Sequence, residues 1–202
     1  MVVTRGAPHN AMTGRTHDLA AFTLLSLVFV ALPEVPHVSL PTLLVAFSAN
    51  FVGGLFPDID QPTSDFWDNF RLGPYLAKVI CPALGGHRHI SHSFLGFVLT
   101  AVGSQLLFTV LGTIVLVDMN IVWWCFMIGV ASHYLTDFFT RDGLPLLWPL
   151  KNKFGFPPWR WMRMEGGSWV EHLLVYPSLA FFTGYVLYHH QNMVLQLLRS
   201  VR

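Results

Sequence analysis

The chain has 202 residues, 53% of them hydrophobic and only 11% charged, with a formal net charge of +1 and a mean hydropathy of +0.50. Soluble domains carry about 25% charged residues, so the composition excludes an ordinary water-facing surface and points to a membrane. No basic stripe suits a nucleic-acid backbone, and the solitary cysteines Cys81 and Cys125 support neither a disulfide framework nor a thiolate zinc site.

In chain order, residues 1–18 are polar and lack the apolar core of a cleavable signal peptide. Five apolar runs follow, at 19–32, 40–56, 93–117, 121–139 and 169–188. A spanning helix needs about 20 apolar residues, and the third, fourth and fifth runs meet that. The first two are shorter and interrupted by Pro33 and Pro36, so they read as tilted spans or as a re-entrant hairpin. Long polar segments occupy 57–91 and 140–168, while the link at 118–120 is tight.

If all five runs cross, the amino terminus and both long segments share one side. That side holds ten of the twelve basic residues: Arg5, Arg15, Arg71, Lys78, Arg88, Arg141, Lys151, Lys153, Arg160 and Arg163. Only Arg199 and Arg202 lie opposite. Lysine and arginine near spans mark the cytoplasmic face. The expected fold is all-α: a polytopic membrane bundle of about five hydrophobic helices in a single domain, 1–202, with no internal repeat.

Ligand-type residues fall at one depth in this bundle. His17 stands just before the first run, Asp58 and Asp60 end the second, and His87 and His92 precede the third. His133 and Asp137 lie toward the end of the fourth, and Glu171 opens the fifth. All map to cytosolic helix ends. His133 and Asp137 are four apart and share a helix face, and ionisable groups inside an apolar span are costly and functional by default. Asp58 and Asp60, two apart, point the same way if the segment is extended.

Carboxylates beside imidazoles suit zinc, manganese or iron(II) rather than copper(I), and about eight ligands leave room for roughly two or three ions. Arg88 is a fork-shaped cation fit to anchor a phosphate oxygen. Plainer roles stay open: capping or solvation for Asp58, Asp60 and Glu171, and interfacial placement for His17, His87 and His92. His9, His37, His189 and His190 lie apart from the cluster, and His172 faces away from Glu171 on a helix. Trp148, Trp159, Trp161 and Trp169 read as an interfacial belt.

The ordered set "TH" (16–17), "LFPDID" (55–60), "GHRHISHSFL" (86–95), "SHYLTDFFTRDGLPLLWPL" (132–150) and "GGSWVEHLL" (166–174) resembles a known pattern. It is that of the LexA-regulated, inner-membrane-bound metal-dependent hydrolases of the YdjM-like family. The likeness runs over nearly the whole chain, and its most specific parts are HRxxSHS and HxxxDxxTxxGxxLLWP. Family members typically carry HRxxTHS, so Ser91 is a mild departure, and His89 falls at a variable position outside the ligand set.

The resemblance implies a hydrolase-type metal centre facing the cytoplasm. A more distant similarity to zinc-dependent phospholipase C and related single-strand nucleases implies phosphodiester hydrolysis. The expected function is therefore metal-dependent hydrolysis of a lipid or lipid-linked phosphoester in the bacterial inner membrane, with zinc the first choice of ion. His17, Asp58, Asp60, His87, His92, His133, Asp137 and Glu171 would hold the metal. Asp58 or Asp60 would also activate water, and Arg88 would hold the phosphate. The segment at 154–164, mixing Trp with Arg, would lead a headgroup into the site. The rivals are a metal or proton transporter, which would place its site at the midplane between repeats, and a scaffold stapled by metal.

Overall fold

The computed structural model describes residues 12–69, 71–84, 89–150 and 152–201. Among these the architecture is helical: α1 (Gly14–Val30), α2 (Leu40–Leu55), α3 (Asp65–Asp68), α4 (Gly73–Ala83), α5 (Phe94–Leu111), α6 (Met119–Phe138), α7 (Tyr176–His189) and α8 (Gln191–Ser200). A 3-10 turn, Phe56–Asp60, extends α2, and a π-turn, Glu171–Val175, precedes α7. Extended pairing among the described residues is confined to two isolated bridges, Thr140 with Met164 and Leu144 with Phe154.

The five apolar runs become α1, α2, α5, α6 and α7, with shifted ends. Side-chain caps set three of the starts. Ser39 accepts from Thr42 N at 3.3 Å, Ser93 from Gly96 N at 3.0 Å, and Asp118 from Asn120 N and Ile121 N at 3.0 and 3.2 Å. Helix α1 begins at Gly14, ahead of the apolar run, because its first turn is polar yet buried: Thr16 and His17 are each 1% exposed. Helix α5 stops at Leu111, short of the run's end at Val117, with Gly112 as its cap. The polar segment at 57–91 is not a plain loop, since α3 and α4 form within it.

The packing is inside out. Large fully buried side chains include His17, His92, His133, Glu171, Asn50, Asp60 and Asp137, while α5 exposes Phe94, Leu95, Val98, Leu99, Val102, Leu106, Leu107 and Val110. Gly96 is the buried residue of α5. Water would not tolerate so extensive an apolar surface; hydrocarbon would. Two stretches are long and apolar enough to cross a membrane, Leu40–Asp60 with 21 residues and Phe94–Leu111 with 18.

Helices α2 and α6 form the spine. A β-carbon on Gly53 would stand 2.1 Å from the Phe126 carbonyl oxygen, and one on Gly129 would stand 2.1 Å from that of Asn50. Small residues let the two backbones touch, as in helix pairs packed within lipid. Asn50 Nδ2 adds a bond to the Cys125 carbonyl at 3.0 Å. At one end of the spine Asp118 N donates to Thr42 Oγ1 at 3.0 Å. At the other end the carboxyl termini of α2 and α6 meet the amino termini of α1 and α5.

Candidate metal centre

Three imidazoles turn the same edge toward this meeting point. His133, on α6, gives its Nδ1 proton to the Gly54 carbonyl of α2 at 2.7 Å. His17, on α1, has Nδ1 3.0 Å from Thr136 Oγ1, whose own proton goes to the Ser132 or His133 carbonyl at 3.1 or 2.9 Å. His92, in the turn before α5, has Nδ1 3.3 Å from Asp60 Oδ2 and 3.0 Å from Ser91 Oγ, while Ser91 Oγ donates to the same Asp60 oxygen. Each ring thus has its Nδ1 proton occupied, which sets the tautomer and leaves Nε2 as the ligand atom. Tyr134 holds the His92 turn by donating to the carbonyls of Ser91 at 2.5 Å and Ser93 at 3.0 Å.

The inward atoms lie at ligand spacing. His92 Nε2 is 3.3 Å from His133 Nε2, 3.4 Å from Asp58 Oδ1 and 3.5 Å from Asp137 Oδ2. His133 Nε2 is 3.7 Å from each of the same two carboxylate oxygens. A tetrahedral zinc site with bonds of about 2.0–2.1 Å has edges of about 3.3–3.4 Å. These pair distances are within a few tenths of an ångström of such edges, and the donor atoms gather in two overlapping groups, His92–His133–Asp137 and His17–Asp58–His133, each within 4.8 Å. His17 Nε2 lies 3.8 Å from Asp137 Oδ1, the other oxygen of that carboxylate, and its ring stacks on His133 with centroids 4.0 Å apart. The donor set, imidazole nitrogen with carboxylate oxygen, fits a borderline divalent ion.

Electrostatics favour a cation here. Burial works against charge on His92, but hydrogen bonds to Asp58 and Asp60 and the nearby Asp137 outweigh it and push its pKa up to about 9. Several carboxylates in a dry pocket demand positive charge, and a proton on His92 supplies some of it. The pocket is nearly closed: His17, His92, His133 and Asp137 are at most 1% exposed, whereas the Asp58 side chain keeps 14%.

Not every expected ligand joins the cluster. Pro57, in the first turn of the 3-10 segment, carries the coil on past α2, so Asp58 and Asp60 are not extended and do not point together. Asp58 meets the Nε2 pair, and Asp60 meets the back of His92. Glu171 is brought elsewhere. Its Oε1 accepts from Thr13 N at 2.9 Å, Thr13 Oγ1 at 2.6 Å and Thr16 Oγ1 at 2.6 Å, and its Oε2 from Gly167 N at 2.6 Å. It ties the start of α1 to the π-turn before α7. His87 and Arg88 lie outside the described residues. Sequence reasoning missed Gly54, Thr136, Ser91 and Tyr134 as supports; Ser91 and Thr136 stand inside the quoted motifs, whereas a backbone carbonyl leaves no sequence signal.

The YdjM inner membrane protein family matches residues 12–198. The chain is 35% identical over 153 residues to the uncharacterized protein YvsG of Bacillus subtilis (strain 168), covering 74% of this chain and 82% of that relative. It is 33% identical over 110 residues to the inner membrane protein YdjM of Escherichia coli (strain K12), covering 51% of this chain and 48% of YdjM, about half of that protein's length. No solved structure matches. With the family matched from the first described residue nearly to the last, the chain belongs to the YdjM inner membrane protein family.

Proposed function

We propose that this protein is a multi-pass inner-membrane, metal-dependent hydrolase that cleaves a phosphoester of a lipid or lipid-linked substrate. The observation that carries the reading is the convergence of Asp58, His92, His133 and Asp137 from three separated segments at ligand spacing. Outward apolar surfaces support residence in lipid, and the skewed placement of lysine and arginine supports five crossings with the site toward the cytoplasm.

A divalent ion bound here, zinc before manganese or iron(II), supplies Lewis acidity toward a phosphoryl oxygen and lowers the pKa of water. The remaining work belongs to the chain. His92 and His133 turn their Nε2 atoms inward, their rings oriented through Nδ1 by Asp60 and the Gly54 carbonyl, and a bound ion would take the place of the His92 proton. Asp58, the cluster carboxylate open to the outside, is placed to take a proton from an attacking water. Arg88 is assigned the phosphate oxygen on sequence grounds. His17, beside the second oxygen of Asp137, extends the set toward a second ion.

A second reading, a metal staple between helices, draws on the near-complete enclosure of the cluster. One experiment separates the readings. Protein purified in detergent and loaded with zinc or manganese is offered phospholipids and generic phosphodiesters. Turnover that disappears in His92→Ala supports the hydrolase. Metal flux into proteoliposomes without turnover points to transport, and bound metal with neither activity points to the staple.

A further inference from the structure

Helix α4 has two apolar faces, and the core uses only one of them. Ala77 and Cys81 are buried against Leu55, Phe66 and Trp67, with the half-buried Ile80 packed beside them. The opposite stripe, the capping Leu72 followed by Tyr75, Leu76 and Val79, keeps the i, i+3, i+4, i+7 spacing of a single helix face. It is 48–72% exposed. Arg71 and Lys78 flank it, and no acidic residue occurs from 71 to 84. The Lys78 ammonium stands 5.8 Å from the Tyr75 ring centroid, beside the stripe.

The helix is also fastened to the metal centre. Trp67 Nε1 and Cys81 Sγ both reach the Ile59 carbonyl, at 3.2 and 3.3 Å, and Ile59 lies between Asp58 and Asp60. Gly73 sits so close to α3 that a β-carbon there would stand 1.9 Å from the Trp67 carbonyl oxygen. Whatever holds the outer stripe of α4 therefore positions the turn that carries Asp58, the exposed edge of the cluster.

We propose that α4 is an interfacial helix that seats its Leu72–Tyr75–Leu76–Val79 stripe in the surface of an anionic leaflet and so sets the mouth of the metal centre at headgroup depth. Large apolar side chains on one face with basic residues at its margin are what an in-plane membrane helix requires, and anionic headgroups draw arginine and lysine. Two copies of the stripe would bring Arg71 and Lys78 against their own kind, which disfavours self-association through it. The chain then passes within a short segment to α5, whose first residues, Phe94 and Leu95, also face outward. A phosphoester at the leaflet surface would reach Asp58 without leaving the bilayer.

This inference rests on the membrane reading above, and the test keeps the two apart. Leu76→Cys, Val79→Cys and, on α5, Val102→Cys are each made in a Cys125→Ala background, Cys81 being buried and unreactive. The full chain is spin-labelled and reconstituted into phosphatidylglycerol–phosphatidylethanolamine vesicles, and label collisions with oxygen and with a water-soluble nickel chelate are compared. Oxygen should dominate at all three positions, with 76 and 79 shallower than 102. Nickel access at 76 and 79 with oxygen dominance at 102 overturns the α4 proposal alone. Shielding of 76 and 79 from both reagents overturns it in favour of a protein partner. Nickel access at 102 overturns the membrane reading itself. Labels at 76 and 79 should rise toward water in pure phosphatidylcholine vesicles, and unchanged depth there removes the anionic part of the proposal.

Discussion

Asp60 Oδ2 lies 3.3 Å from His92 Nδ1, on the edge of the ring opposite the Nε2 that sits 3.3 Å from His133. The carboxylate is placed to orient a candidate ligand rather than to serve as one. Removing such a partner typically costs about 10–100-fold in metal affinity. Asp60→Asn should weaken zinc binding by about that factor while leaving the saturated metal content unchanged. Equilibrium dialysis at several free-zinc concentrations measures both quantities.

Direct ligands should behave differently. His133→Ala and Asp137→Ala should each lower the metal content of purified protein, read by elemental analysis. Full retention in both would remove the metal assignment.

Glu171 supplies the contrast. Because both its oxygens serve Thr13, Thr16 and Gly167, Glu171→Gln should keep the metal and lose stability. Hydrogen bonds to a charged group contribute about 1.5–3 kcal/mol, and a loss of that order should lower the thermal unfolding midpoint in detergent. Lost metal with unchanged stability would return Glu171 to the ligand set.

Metal binding should tighten as pH rises. The folded His92 pKa of about 9 lies above its ordinary 6.5, so in the metal-free protein this ring is protonated at neutral pH, and a bound ion must displace the proton. Apparent affinity should climb by about tenfold per pH unit below 9 and level off above it. The sign for the metal-free fold is the reverse: a raised pKa stabilises fully below 6.5, and that contribution fades as pH passes 9. Calorimetric titration at several pH values tests the first statement, and denaturation of metal-free protein tests the second.

Gly129→Val should separate α2 from α6. Its β-carbon alone would stand 2.1 Å from the Asn50 carbonyl oxygen, and overpacking commonly costs about 1–3 kcal/mol. The same shift would pull Gly54 from His133, so metal content should fall although no ligand is altered. Gly103→Val, at a helical glycine with nothing nearby, should leave metal content unchanged.

Much of this candidate cluster was legible in the sequence because lipid makes polar residues expensive. His133 and Asp137 stand out inside an apolar run, and His17, Asp58 and His92 each mark a run's edge. Hydropathy was a poorer guide to the helix ends: the first turn of α1 is polar because it is buried among other polar groups. Helices α3, α4 and α8 escaped notice, being too short or too amphipathic to register as apolar runs. The division of labour between Asp58 and Asp60 depended on whether Pro57 ended the coil or carried it onward, and spacing alone was silent on that. Glu171 sits at the right depth for a ligand, but its neighbours Thr13, Thr16 and Gly167 become neighbours only on folding.

The inward polarity of α1, α2 and α6 also bears on how the protein is made. Helix α5, apolar on nearly every side, can leave the insertion machinery alone. Helix α1 would then carry His17, and α6 His133 and Asp137, into hydrocarbon unaccompanied, so α1 and α2 are expected to linger at the translocon until α6 follows and packs on them. Biogenesis of this bundle should accordingly stall when Asn50 or the two spine glycines are replaced, well before any chemistry at the metal is called upon.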